Sequence, residues 1–243
     1  MLIDAHMHLG KYGERDFEER LVGISAEQIL EVLEHNGVDK AVVVPMSSSL
    51  KYMPCIGKAV ERHSNLIGLI WIDPRKFRRI DNILKLFSCG QFHGFKLRPE
   101  SEKYNIGNIN LLEPLMKAAE KLDAPVYIHS SQESPLSSPL LIARLADFFP
   151  RVTIIMGHMG GCSLEAFLVA EKHPNIFLET SGVRDPRLIQ YAVNRLGAER
   201  VLFGSDYPYL SLKKEKAKIE CLKLPEEDKR LIMGRNATRI FEL

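Results

Sequence analysis

Apolar and polar positions fall into two alternating patterns along the chain. Short β-branched or apolar runs occupy residues 2–6, 40–44, 66–72, 94–97, 125–129, 152–157, 176–180 and 201–204. Between them lie longer stretches whose apolar positions recur three and four residues apart, the period of an amphipathic helix. The clearest begins at Ser25, an N-cap before Ala26-Glu27-Gln28-Ile29-Leu30-Glu31-Val32-Leu33. Gln28 stands where a capping box needs its second partner, and Asn36-Gly37 supplies the stop. Residues 110–122, 138–149, 163–173, 185–196 and 225–233 read as further helices, set apart by Pro or Gly. The strand runs lack the strict alternation of a sheet with one wet face, so they predict parallel strands covered on both sides.

Repeated β-α units of this kind build either a closed (β/α)8 barrel or an open doubly wound sheet. The chain has 243 residues, close to the ~250 of one such barrel and short for two domains. A doubly wound sheet usually places a glycine-rich phosphate turn after its first strand. Here that place holds His6-Met7-His8-Leu9-Gly10. The expectation is one α/β domain over residues 1–243, a parallel eight-stranded TIM barrel without linker, repeat or low-complexity segment.

Composition changes the picture mainly by exclusion. With 45% hydrophobic and 26% charged residues and a net charge of +2, the chain has the balance of a soluble protein and no electrostatic footprint for nucleic acid. Its longest apolar runs fall far short of the about 20 residues of a membrane-spanning helix, and Met1-Leu2-Ile3-Asp4 lacks the start of a signal peptide. Cys55, Cys89, Cys162 and Cys221 lie far apart with no C-x-x-C pair, so neither a zinc ribbon nor a disulfide framework is indicated. A cytoplasmic protein with a small-molecule substrate and no nucleic-acid or membrane partner is the simplest expectation; a homo-oligomer is compatible with it.

The chemistry begins at the first strand. Residues two apart on a strand share a face, which predicts Asp4, His6 and His8 on one side. A lone H-x-H has a bland reading as a chance pair of surface or core histidines. It does not stand alone here: His129 closes the fifth strand run, His158 follows the sixth and Asp206 the eighth. In characterised barrels those strand ends form the active-site face. Of the other histidines, His35, His63 and His173 fall in or at the ends of helices, and His93 precedes the fourth run on the opposite rim. Three imidazoles and a carboxylate suit Zn²⁺ or another divalent transition metal.

These residues sit in motifs that resemble the amidohydrolase-related branch of the amidohydrolase superfamily, which includes amide and lactone hydrolases and non-oxidative decarboxylases. Ile3-Asp4-Ala5-His6-Met7-His8-Leu9-Gly10 is similar to its first-strand motif, Val126-Tyr127-Ile128-His129 to the fifth, and Met156-Gly157-His158-Met159-Gly160-Gly161 to the sixth. Phe203-Gly204-Ser205-Asp206-Tyr207-Pro208 resembles the eighth, and residues 234–241 the closing helix. The resemblance implies metal ligation by His6, His8, His129 and Asp206, with His158 catalytic or an additional ligand. It implies one divalent ion, zinc first, with manganese or another transition metal as alternatives. Members with two metals often bridge them by a carboxylated lysine of the fourth strand, where Lys96 stands. Relatives in this branch commonly carry G-x-K-x-H-P there, and Arg98 departs from that histidine. Lys96 and Arg98 share strand parity, so both can meet an anionic substrate group; the alternative is a solvated basic pair.

The expected reaction is hydrolysis of a small amide, lactone or ester by metal-activated water. Asp206 would take the water's proton and pass it on while the metal and His158 stabilise the oxyanion. The rival enzyme reading uses the same cage for non-oxidative decarboxylation of an aromatic or enoic acid, with Asp206 protonating carbon. A barrel nuclease ranks third, because Lys96 stands where those resemble chains with a glutamate ligand. A ligand-binding barrel without turnover is the non-enzyme alternative. Ser130, Glu133, Ser205 and Tyr207 neighbour the site, and Cys162 has no histidine assigned to activate it.

Overall fold

In the computed structural model, which describes residues 1–11, 23–48, 53–88 and 92–243, the apolar runs pair side by side into one nine-stranded sheet. Its strands are β1 (Ile3–Lys11), β2 (Gly23–Ile24), β3 (Lys40–Pro45), β4 (Leu66–Trp71), β5 (Phe92–Leu97), β6 (Val126–Ile128), β7 (Ile154–Met156), β8 (Ile176–Glu179) and β9 (Val201–Leu202). From β1–β3 through β8–β9 every neighbouring pair is parallel. The two-residue β2, absent from the sequence reading, pairs antiparallel with the end of β1. The last strand returns to the first. Ala5 N donates to Phe203 O, Asp206 N to His6 O and His8 N to Tyr207 O, so the eight parallel strands close into the expected barrel.

Helices fill the crossovers: α1 (Ala26–Asn36), α2 (Met53–Arg62), α3 (Ile80–Ser88), α4 (Pro99–Glu102), α5 (Ile109–Lys121), α6 (Pro139–Phe148), the turn α7 (Met159–Cys162), α8 (Leu164–Lys172), α9 (Pro186–Leu196) and α10 (Leu212–Glu220). The predicted capping box is present in both directions: Ser25 accepts from Gln28 N and Gln28 Oε1 accepts from Ser25 N, while Gly37 ends α1 in the left-handed region. Ser163 and Asp185 cap α8 and α9. The predicted helix at 225–233 is instead α11 (Glu226–Arg230) running into a wider turn over Leu231–Arg235, and the closing helix expected over 234–241 is the shorter α12 (Asn236–Ile240). Gly234 lies in that turn, where a Cβ would collide with the Met1 carbonyl oxygen.

Two apolar layers result. Ile3, Ala5, Val42, Ile67, Phe177 and Leu202 face the barrel axis and are plugged from below by Ala237, Ile240 and Phe241. Alternate residues of the same strands, such as Val43, Ile70, Phe95 and Leu178, pack outward against the helices. Among the described residues no helix is long and apolar enough to cross a membrane.

Candidate metal centre

Strand parity decides which side chains reach the upper interior. On β5 the outward Phe95 and Leu97 leave Lys96 inward, with Arg98 just past the strand end; on β6 the outward Val126 and Ile128 leave Tyr127 inward, with His129 next after the strand. β1 departs from simple alternation. Ile3 and Ala5 face the axis while Met7 and Leu9 face the helices, and the switch falls at a register irregularity between Asp4 and Met7. His6 and His8 are thereby turned inward, but Asp4 does not share their face as expected. Its Oδ1 instead accepts from His6 N and Ser205 N, both at 3.0 Å, tying the first strand to the last. Burial pushes the Asp4 carboxyl up to about 7 against those hydrogen bonds.

At the seam His8 Nε2 lies 3.0 Å from Asp206 Oδ1, and His6 Nε2 lies 3.6 Å from the same oxygen. The three residues offer donor atoms all within 4.8 Å of one another. Burial lowers His6 well below the usual imidazole range, with Lys96 adding to the effect; burial also lowers His8, against the pull of Asp206. Both rings are therefore neutral and carry lone pairs. Burial works the other way on Asp206, but the imidazoles of His6, His8 and His158 outweigh it and hold the carboxyl well below its ordinary range. Two neutral nitrogens and an ionised oxygen at this spacing fit a divalent cation.

The other predicted residues surround this group. Lys96 Nζ lies 3.2 Å from His6 Nε2 and 3.8 Å above the Tyr127 ring. Burial, with Arg98 contributing and Asp206 opposing, brings its ammonium down to about 7. Arg98 is half-buried above it, with a buried Nε that has no hydrogen-bond partner. His129 stands outside the tight group, its Nδ1 3.0 Å from His158 Nε2. His158 and Asp206 both hold left-handed backbone, φ 55° each, a conformation that costs a non-glycine residue on the order of 1 kcal/mol or more and concentrates at functional sites. Ser130 donates to Ser137 O and Ser205 Oγ accepts from Tyr207 N, both structural roles. Burial raises the Cys162 thiol, which faces the His158 carbonyl, so it has no activated nucleophile's surroundings. His93 donates across the barrel floor to Phe241 O, as its place on the opposite rim implied. Cys55, Cys162 and Cys221 are free thiols, and Cys89 falls outside the described residues.

The family model for amidohydrolases matches residues 3–243. The chain belongs to the amidohydrolase family. It is 24% identical over 176 residues to a γ-resorcylate decarboxylase from Rhizobium radiobacter, a match covering 54% of this chain and 54% of that one. The match thus spans about half the length of such curated relatives. A crystal structure of 5-carboxyvanillate decarboxylase from Novosphingobium aromaticivorans, complexed with manganese and 4-hydroxy-3-methoxy-5-nitrobenzoic acid, shares the fold with a TM-score of 0.78 at 16% identity, covering 100% of this chain and 96% of that chain. A probable 2-pyrone-4,6-dicarboxylic acid hydrolase from Acinetobacter baumannii with citric acid bound does so at 0.73 and 15%, covering 100% and 99%.

This amidohydrolase also holds site residues that the sequence reading missed. Glu179, fully buried at the end of β8, takes hydrogen bonds from Tyr127 Oη at 2.6 Å and Ser181 Oγ at 2.9 Å. Tyr127 Oη is also 2.7 Å from His6 Nδ1, and Ser181 Oγ 2.9 Å from His158 Nδ1. His6, His158 and Glu179 accordingly form a second group with donor atoms within 4.8 Å. A signal for Glu179 was present: it is the one charged residue in Ile176-Phe177-Leu178-Glu179, a strand buried on both faces.

Proposed function

We propose that this amidohydrolase removes carbon dioxide from a small aromatic carboxylate. A divalent metal, manganese rather than zinc, would be held by His6, His8 and Asp206, with His129 completing the set. The observation that carries this reading is Lys96 buried against His6 with the unpartnered Nε of Arg98 near it, two basic groups beside the metal group able to meet an acid substrate. The likeness to decarboxylases supports it over hydrolysis, and the manganese in a fold neighbour supports the choice of ion.

A bound divalent ion would supply Lewis-acid stabilisation of the substrate's oxygens. Lys96 and Arg98 neutralise and orient the carboxylate. Asp206, reloaded with one proton from solvent in each turnover, delivers it to the ring carbon that bears the carboxylate. The new C–H bond forms, the C–C bond breaks with its electron pair returning to the ring, and carbon dioxide leaves. Lactone or amide hydrolysis is the second reading, favoured by the likeness to the 2-pyrone hydrolase. There Asp206 takes the attacking water's proton while His158 faces the oxyanion.

The test is a panel of aromatic acids, lactones and amides with manganese-loaded enzyme, following carbon dioxide and loss of substrate. Turnover of an aromatic acid is expected, with Arg98→Ala raising KM roughly ten- to hundredfold at unchanged metal content. Turnover confined to lactones or amides would return the protein to hydrolysis.

A further inference from the structure

We propose that Glu179 is a positioning residue that dictates, through Tyr127 and Ser181, which ring nitrogen of His6 and of His158 carries the proton. The inference rests on the reading above only in making His6 a metal ligand.

The argument is a count of protons. Glu179 accepts at Oε1 from Ser181 N and at Oε2 from His158 N, and neither backbone group can do anything but donate. Its carboxylate is therefore the acceptor in this cluster. Tyr127 has one hydroxyl proton and gives it to Glu179 Oε2. The remaining contact, Tyr127 Oη with His6 Nδ1 at 2.7 Å, can then be a hydrogen bond only if the imidazole donates from Nδ1. His6 Nε2 is left with its lone pair directed at the side of the ring where Asp206 lies. Ser181 repeats the logic. Its single hydroxyl proton goes to Glu179 Oε2, so His158 Nδ1 must donate to Ser181 Oγ or to the Ser181 carbonyl at 3.2 Å. His158 Nε2 is then an acceptor, and it faces His129.

The backbone makes room for this arrangement. A Cβ at Gly157 would come within 2.6 Å of Tyr127 Oη, and one at Gly204 would collide with the Glu179 carboxylate. The strands flanking the hub have thus given up side chains where the phenol and the carboxylate meet. This also accounts for the second donor group without a second ion: the Tyr127 hydroxyl bonds both His6 and Glu179, so the short distances there are those of a hydrogen-bonded chain.

Histidine ¹⁵N chemical shifts of the metal-free protein read the tautomers directly, and titration with Mn²⁺ reads ligation apart from turnover. The parent is expected to show Nδ1–H on both His6 and His158. Tyr127→Phe should lose the preference at His6 alone and weaken Mn²⁺ binding about 10- to 100-fold, the usual cost of losing a ligand's supporting hydrogen bond. Ser181→Ala should weaken it at His158 alone, where the residue-181 carbonyl still accepts from Nδ1, and leave Mn²⁺ binding within about twofold of the parent, a level below the usual cost of disturbing a ligand's support. Glu179→Gln should disturb both rings, and if it does not fold the two milder variants carry the test. Nε2–H at His6 or His158 in the parent, or parental tautomers and Mn²⁺ affinity in Tyr127→Phe, would overturn the proposal. A parent that binds no Mn²⁺ would sink the metalloenzyme reading, while the tautomers would still decide this one.

Discussion

The two ends of the barrel interior are built from the same strands and behave as opposites. At the floor Ala5, Phe177 and Leu202 meet Ile240 and Phe241, and burial there is pure gain. One to four residues further along, the same strands and the turn after the last one present His6, Glu179 and Asp206, and burial becomes a cost that each group offsets through a partner. The comparison teaches that the same burial which stabilises one end shifts proton affinities at the other. Burial is what depresses Lys96 and lowers His6.

Three measurements would break or sharpen that contrast. The largest effect is expected at the upper end: Asp206→Asn keeps an oxygen for the ion but cannot carry a proton, so kcat should fall roughly 10²- to 10⁴-fold while part of the metal is retained. Metal content and kcat measured side by side decide it, and near-parental kcat in loaded enzyme would remove the proton-carrier role. Next comes the floor. Phe241→Ala should cost about 3–5 kcal/mol in urea unfolding, with Mn²⁺ affinity of the remaining folded protein little changed; weakened metal binding without lost stability would dissolve the distinction between the ends. The smallest effect concerns Asp4, where polar and apolar halves meet. Its folded carboxyl, at about 7, binds protons that the unfolded chain, near 3.9, has released. The stability it contributes is therefore complete below about pH 4 and is lost as pH rises through about 7, by at most about 1.4 kcal/mol per pH unit. In metal-free protein Asp4→Asn should flatten that slope, and an unchanged slope between pH 4 and 7 would show that Asp4 is ionised throughout.

Much of this was legible in the sequence because it depends on local patterns. The Ser25 and Gln28 cap, the starts of α8 and α9, and the placement of His129, His158 and Asp206 just beyond strands follow from spacing alone. Parity agrees with the inward place of Lys96, whose Nζ reaches His6. It failed for Asp4, because a single irregularity in β1 turns His6 inward after Ala5 and leaves no trace in the residue types. Tyr127 and Glu179 were passed over for a different reason. Each reads as part of an apolar strand, and its role arises only when β6 and β8, with β7 between them, bring the two to within 2.6 Å. The short β2 likewise exists only through its pairing with the end of β1.

The closure of the barrel has a consequence for how the protein comes into being. His8 and Asp206 are 198 positions apart, one on the first strand and the other just past the last. During synthesis the histidines leave the ribosome early, and at a usual pace of about 5–20 residues per second they wait on the order of ten seconds or more for their carboxylate. Seven strands can pair before that without completing the ion cage. An ion that then binds across the seam draws the first and last strands together, so its binding free energy is also free energy of barrel closure. Catalytic competence and the final act of folding are in this sense a single event, and a chain that stalls short of the eighth parallel strand is left with exposed imidazoles and nothing to hold.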